Sequence, residues 1–76
     1  MNKERRIKLA KVVDRIQEIR DTLSEIFDED TQALEGYPEN LQGTERYEKA
    51  EEDNETLSDA IDNLEDIYDS LYELLE

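Results

Sequence analysis

Carboxylates are the side chains with chemistry to offer in this sequence. Glu51, Glu52 and Glu55 spell EExxE, and Asp66 with Asp69 makes a later DxxD. Acids three or four residues apart share one helix face and hold a divalent cation when they converge on a point. On a single helix, Glu52, Glu55, Asp66 and Asp69 fall along one outward face instead. With 23 acidic residues in 76, such a match is also cheap. Asp28-Glu29-Asp30 lacks the glycine and the distal glutamate of a calcium loop. Histidine and cysteine are absent, which removes the commonest general base near neutral pH, the thiolate and imidazole metal ligands, and disulfides. The serines have no histidine partner, and no Gly-rich loop is present to cradle a phosphate. These residues point to no catalytic group, no cofactor and no resident metal. The expectation is a non-catalytic protein that acts by binding.

One long row of acids stands out. If Leu64 occupies heptad position a, the c and f positions of the C-terminal segment are Glu48, Glu52, Glu55, Asp59, Asp62, Asp66, Asp69, Glu73 and Glu76. Steps of three and four keep all nine on one helix face, in a row about 40 Å long at ~1.5 Å per residue. Glu51 and Glu65 widen it at b, and no basic residue interrupts it after Lys49. Like charges at this spacing oppose helix formation by ~0.2–0.5 kcal/mol per pair. A face meant only for solvation usually mixes signs; this one tolerates repulsion. Duplex DNA presents about one charge per 1.7 Å of axis, so a stiff carboxylate row offers a comparable ribbon to a groove lined with Lys and Arg. Tyr72, at b among the acids, is a candidate aromatic anchor for arginine, as is Tyr37.

The elements that must carry this row are two helices. Apolar residues repeat at helical spacing, and period-two alternation is missing, so strands are excluded. From about residue 2 to 35, Leu9, Ile16 and Leu23 take a and Val12, Ile19 and Ile26 take d, with Val13, Phe27 and Leu34 at e. From about 44 to 75, Leu57, Leu64 and Leu71 take a; Ala60, Ile67 and Leu74 take d; Tyr47, Ile61, Tyr68 and Leu75 take e. Gly36 is expected to end the first helix as a left-handed residue, with Pro38 starting a short turn through Leu41. Thr44 is the expected N-cap of the second helix. Asp53 and Asn54 on its core side suggest a kink.

A short connection (36–43) between long helices makes them antiparallel neighbours. The fold class is therefore all-α, a single-domain helical hairpin. Its stripes are wide for two helices, and a thin core stabilises poorly. A homodimer forming a four-helix bundle is the expected assembly.

Charge is unevenly distributed. Residues 1–20 carry net +4, residues 21–49 net −7 and residues 50–76 net −11, for a total of −14. The antiparallel arrangement brings Lys3, Arg5, Arg6, Lys8 and Lys11 towards Asp66, Asp69, Glu73 and Glu76, where mutual compensation is the simplest expectation. The net charge argues against direct contact with nucleic acid and for a basic protein surface as partner, including that of a nucleic-acid-binding enzyme. No apolar run suits a signal peptide or membrane span, so no membrane association is expected and the expected location is the cytoplasm.

The stretch YPENLQGTERYEKAEE followed by LSDAIDNLEDIYDSLYELL resembles a family of small acidic proteins of phages and prophages. These pair a basic first helix with a PENLQ-type turn and a second helix of acidic, AI and NLE units. The resemblance covers roughly residues 16–76 and implies a phage context, with no established activity. A phage context in turn favours, in host cytoplasm, an inhibitor of a defence or nucleic-acid-handling protein, of the anti-restriction or anti-CRISPR kind. One alternative is a structural or adaptor bundle whose apolar stripe seats a partner helix. A distant one is a metal-dependent nucleotide pyrophosphohydrolase, because all-helical enzymes of that type hold magnesium with similar EExxE and DxxD patterns.

Overall fold

The computed structural model describes residues 1–76 and is all-helical. Helix α1 spans Lys3–Glu35, a 3-10 turn spans Glu39–Leu41, and helix α2 spans Glu45–Glu73. The helices pack against each other as an antiparallel hairpin. The rod measures 59 × 15 × 15 Å, with a radius of gyration of 17.4 Å, where a compact chain of this length would have about 11 Å.

Both helices begin on a side-chain cap. The Asn2 side chain accepts from the Arg5 amide at 2.8 Å, and Thr44 Oγ1 accepts from the Tyr47 amide at 3.3 Å. Each cap satisfies one of the N–H groups that a helix start leaves without a partner. The Thr44 hydroxyl also donates to the Leu41 carbonyl at 2.7 Å, tying the turn to α2. Pro38 precedes the 3-10 turn in extended backbone, with φ at the −60° its ring imposes.

Gly36 departs from the sequence expectation. Its backbone is right-handed, at φ −81° and ψ −4°, and no glycine has positive φ. The helix ends by tightening instead of reversing: the Gly36 amide donates to Gln32 O and the Tyr37 amide to Leu34 O, both at 3.1 Å. This exit brings the Tyr37 ring edge-on to Tyr47, 5.1 Å between centroids, and that contact closes the hairpin end. The kink expected at Asp53 and Asn54 is also absent, since α2 runs unbroken through both. The Asn54 amide instead donates across the hairpin to Asp30 Oδ2 at 3.0 Å and Thr31 Oγ1 at 3.1 Å. Asp53 turns outward and accepts from Lys49 Nζ at 2.9 Å. That hydrogen bond, with the carboxylate's charge, raises the Lys49 pKa.

The hairpin's seam uses a and e positions rather than a and d. At these positions the half-buried or buried residues are Leu9, Val13, Ile16, Arg20, Leu23, Phe27, Asp30 and Leu34 on α1, and Tyr47, Ala50, Asn54, Leu57, Ile61, Leu64, Tyr68, Leu71 and, just past its end, Leu75 on α2; Ala10, Ser24, Thr31 and Ser58 at b and Ala60 at d are half-buried beside the seam. Both sets step by alternating threes and fours. The d residues Val12, Ile19, Ile26, Ile67 and Leu74 remain 44 to 51% exposed. The e set carries Phe27, Tyr47 and Tyr68, whose rings bury more area than the aliphatic d residues do. It also lets Asn54 find its partners and Arg20 lie over the Tyr68 ring, 5.3 Å from the centroid. Even so, only Val13 is buried, at 3% exposure.

Because Gly36 and Gly43 both have ordinary backbone, alanine fits at either. A Cβ at Gly36 would meet Gln32 O at 3.5 Å and Ala33 O at 3.6 Å, and one at Gly43 would meet nothing within 4 Å. Gly36→Ala and Gly43→Ala should each stabilise the hairpin by about 0.4–1 kcal/mol by restricting the unfolded chain. Urea denaturation followed by circular dichroism checks this; a loss of stability in Gly36→Ala would show that the left-handed conformation is needed.

Candidate functional site

The a/e seam determines where every other row faces. Around a helix the b and d positions flank an a/e seam on opposite sides, f lies beyond b, g beyond d, and c points directly away. Two antiparallel helices are related by a two-fold axis normal to their common plane. Like-lettered rows therefore share a side. The contacts Asp30–Asn54, Thr31–Asn54 and Tyr37–Tyr47 set the levels of the two helices.

On the b/f side lie the f residues of both helices. Those of α2 are Glu48, Glu55, Asp62, Asp69 and Glu76, as the sequence indicates. Those of α1 are Asp14, Asp21, Asp28 and Glu35, and all nine are exposed. The register brings Asp14 level with Asp69, Asp21 with Asp62, Asp28 with Glu55 and Glu35 with Glu48. Four rungs of paired acids follow, about 10.5 Å apart at one heptad each. Glu51 and Glu65 sit between the rails at b, beside small or polar residues of α1, Gln17 and Thr31. The c residues Glu52, Asp59, Asp66 and Glu73 carry the negative surface round the back of α2, also exposed. Sequence reading missed the α1 rail, although its signal was present: from Asp14 onward every seventh residue to Glu35 is acidic.

Together the two f rows, the α2 c row from Glu52 onward and the two b glutamates make fifteen carboxylates along about 42 Å, or roughly one per 2.8 Å. That density falls between a single nucleic-acid strand, about one charge per 3.4 Å, and a duplex, about one per 1.7 Å. Neutralisation from within the chain is slight. The ion pairs are Arg20–Asp21 at 3.7 Å and Lys49–Asp53 at 2.9 Å. No member of the α2 row has a basic partner. The compensation expected between the N-terminal cations and Asp66, Asp69, Glu73 and Glu76 does not form as direct pairs. These acids point along c and f, away from α1, while the nearby cations spread over several rows.

Tyr72 lies at the end of this face, 46% exposed. It stacks on Tyr68 with centroids 5.8 Å apart and planes 20° from parallel, while Arg20 covers Tyr68. The chain thus already holds one arginine on this aromatic pair, and Tyr72 offers the open ring. Tyr37 is half-buried against Tyr47, in a hollow at the turn shared with Pro38, Leu41, Thr44 and Arg46. No three carboxylates converge to hold a metal ion; the EExxE and DxxD acids are strung along the outside of α2. No helix is long and apolar enough to cross a membrane.

Comparison with known proteins finds no matching family model, and no similar curated protein or solved structure. What the chain displays is an acidic helical hairpin, with charge gathered on one side.

The α2 row contains eight successive like-charge neighbours at i,i+3 or i,i+4, each opposing the helix by ~0.2–0.5 kcal/mol. Asp62→Lys removes two of these and the i,i+3 repulsion from Glu65, and adds attractions to Asp59, Glu65 and Asp66. It should stabilise the hairpin by about 1 kcal/mol, read as a melting temperature roughly 4–8 °C higher. Salt should raise the wild-type melting temperature while narrowing the advantage of Asp62→Lys, because screening acts on the same repulsions. Scanning calorimetry at low and high salt decides; an advantage independent of salt would rule out repulsion as its source.

Proposed function

We propose that this protein is a non-catalytic binder whose b/f face occupies a basic, nucleic-acid-handling surface of another protein and so keeps nucleic acid out. The observation that carries this reading is the pair of acidic rails. Residues on two separate helices, related by no local periodicity, put their carboxylates on one side at matched levels. A solvation role asks only that charges be exposed, and does not account for their gathering on one side with so little neutralisation. Stability is given up along α2 for a surface whose value lies in its potential. Such surfaces raise association rates and lose affinity as salt rises. The resemblance to small acidic phage proteins supports a host-directed target, with inhibition of restriction or CRISPR effectors as the expected outcome.

The adaptor reading keeps one observation in its favour, the exposed d row, which is apolar and lies on the opposite side. The two readings separate cleanly because the two sides do not share residues. Leu64 is a poor probe, since it packs in the seam; Ile67 is the informative position.

The test immobilises the tagged chain in lysate of a suspected host, then challenges captured proteins with duplex DNA. Captured partners should be nucleic-acid-binding proteins, released by excess duplex and by moderate salt. The quadruple reversal Asp59→Lys, Asp62→Lys, Asp66→Lys, Asp69→Lys should lower capture by about a hundredfold or more, on the scale of several lost charge contacts. Capture that survives the reversal, or partners that duplex DNA fails to displace, would refute the proposal. Loss on Ile67→Lys with tolerance of the reversal would favour the adaptor reading.

A further inference from the structure

The side opposite the acidic rails has a different chemistry. Its d rows place Val12, Ile19 and Ile26 of α1 level with Leu74, Ile67 and Ala60 of α2. Three apolar cross-helix pairs therefore form one strip, and five of the six residues are 44 to 51% exposed, with Ala60 half-buried. Bordering it, the g row of α2 is Lys49, Thr56, Asn63 and Ser70, and that of α1 is Lys8, Arg15, Thr22 and Glu29. Of the 23 acids in the chain, only Glu29 and Asp53 fall on the d and g rows; of the 9 basic residues, Arg5, Lys8, Arg15, Arg46 and Lys49 do. This is the one side on which a chain of net charge −14 can approach a copy of itself without setting acid against acid.

We propose that this side seats a second copy of the chain, turned end for end about a two-fold axis at the level of Ile19 and Ile67, to form an antiparallel four-helix bundle. The inference does not rest on the acidic-face reading. Three observations select the occupant. First, the strip is centred on Ile19–Ile67 and ends symmetrically on Val12–Leu74 and Ile26–Ala60, so it is self-complementary under that rotation, as an isologous interface must be. Second, the rotation places the Glu29 carboxylate of one copy level with Lys8 of the other, and Asp53 level with Arg5. Glu29, which has no ion-pair partner within the hairpin, thereby acquires one, and the pair occurs twice. The unrotated, parallel arrangement places Glu29 against Thr56 and leaves Lys8 beyond the end of α2. Third, a flank of a rod 59 Å long and 15 Å wide offers roughly the 800 Å2 per partner of a standard interface. A hairpin with one buried residue needs that area, because cores this small stabilise poorly alone. In the bundle the d residues join the a and e residues in a common core, and the acidic rails of the two copies face outward in opposite directions.

The full-length protein is examined by sedimentation equilibrium over a concentration series, with circular dichroism of the same samples. A monomer–dimer equilibrium is the expected result. Ile19→Lys with Ile67→Lys should yield a monomer. Since that variant also loses helicity if the hairpin depends on its partner, a second pair of variants leaves the apolar strip untouched. Lys8→Glu should weaken the dimer by about tenfold, through two reversed pairs per dimer, and adding Glu29→Lys should restore it. A wild-type chain that is monomeric and fully helical overturns the proposal, as does a dimer indifferent to Ile19→Lys with Ile67→Lys. A Lys8→Glu defect that Glu29→Lys fails to rescue overturns the end-for-end arrangement.

Discussion

The structure depends on one narrow apolar seam that must hold together two long and heavily charged helices. Each helix spends its a and e positions on that seam, and every remaining property follows from their choice. The seam is thin. It buries one side chain, Val13, and includes Asn54, Asp30 and Arg20 as well as hydrocarbon. Those polar members do not merely dilute it. Asn54 bonds to Asp30 and Thr31 at one level only, so a slip of one heptad would strand its amide and their oxygens. Half-buried polar groups without partners are costly. The apolar a residues, nearly all Leu or Ile, would accept several registers, and the polar layer accepts one.

From the seam follows a division of the surface into two sides of opposite character. On one, two rails of carboxylate meet solvent with hardly any internal neutralisation. On the other lies an apolar strip edged by neutral and basic groups. A hairpin that only needed solubility would gain most by distributing its acids evenly, because close spacing raises their mutual repulsion. Concentration on one side costs stability and creates a directed field.

The turn shows the same economy on a smaller scale. Tyr37, Pro38, Leu41 and Thr44 close the hairpin with one aromatic edge contact and one doubly used hydroxyl. The chain tightens out of α1 and never enters the left-handed region. The ring of Tyr37 reaches Tyr47 from that exit, and this contact takes the place of the glycine-dependent reversal that GYPEN suggests.

Helices, their limits, the N-cap at Thr44, the short turn after Pro38 and the nine exposed acids of α2 were legible in the sequence because each depends on neighbours within about one or two heptads. Periodicity, turn chemistry and capping are local. The choice of seam was not legible. Both a/d and a/e stripes are apolar enough on either helix, and only the meeting of the two surfaces compares Phe27, Tyr47 and Tyr68 at e with the aliphatic residues at d. That comparison has large consequences. With an a/d seam the f rows would point away from each other on the backs of the two helices, and Asp14, Asp21, Asp28 and Glu35 would be ordinary solvated acids. With the a/e seam they rise on the same side as Glu48, Glu55, Asp62 and Asp69. The sequence alone therefore determines that the chain is a hairpin with an acidic row; the tertiary structure decides that the row has a second rail and that the apolar d strip is left facing the opposite way.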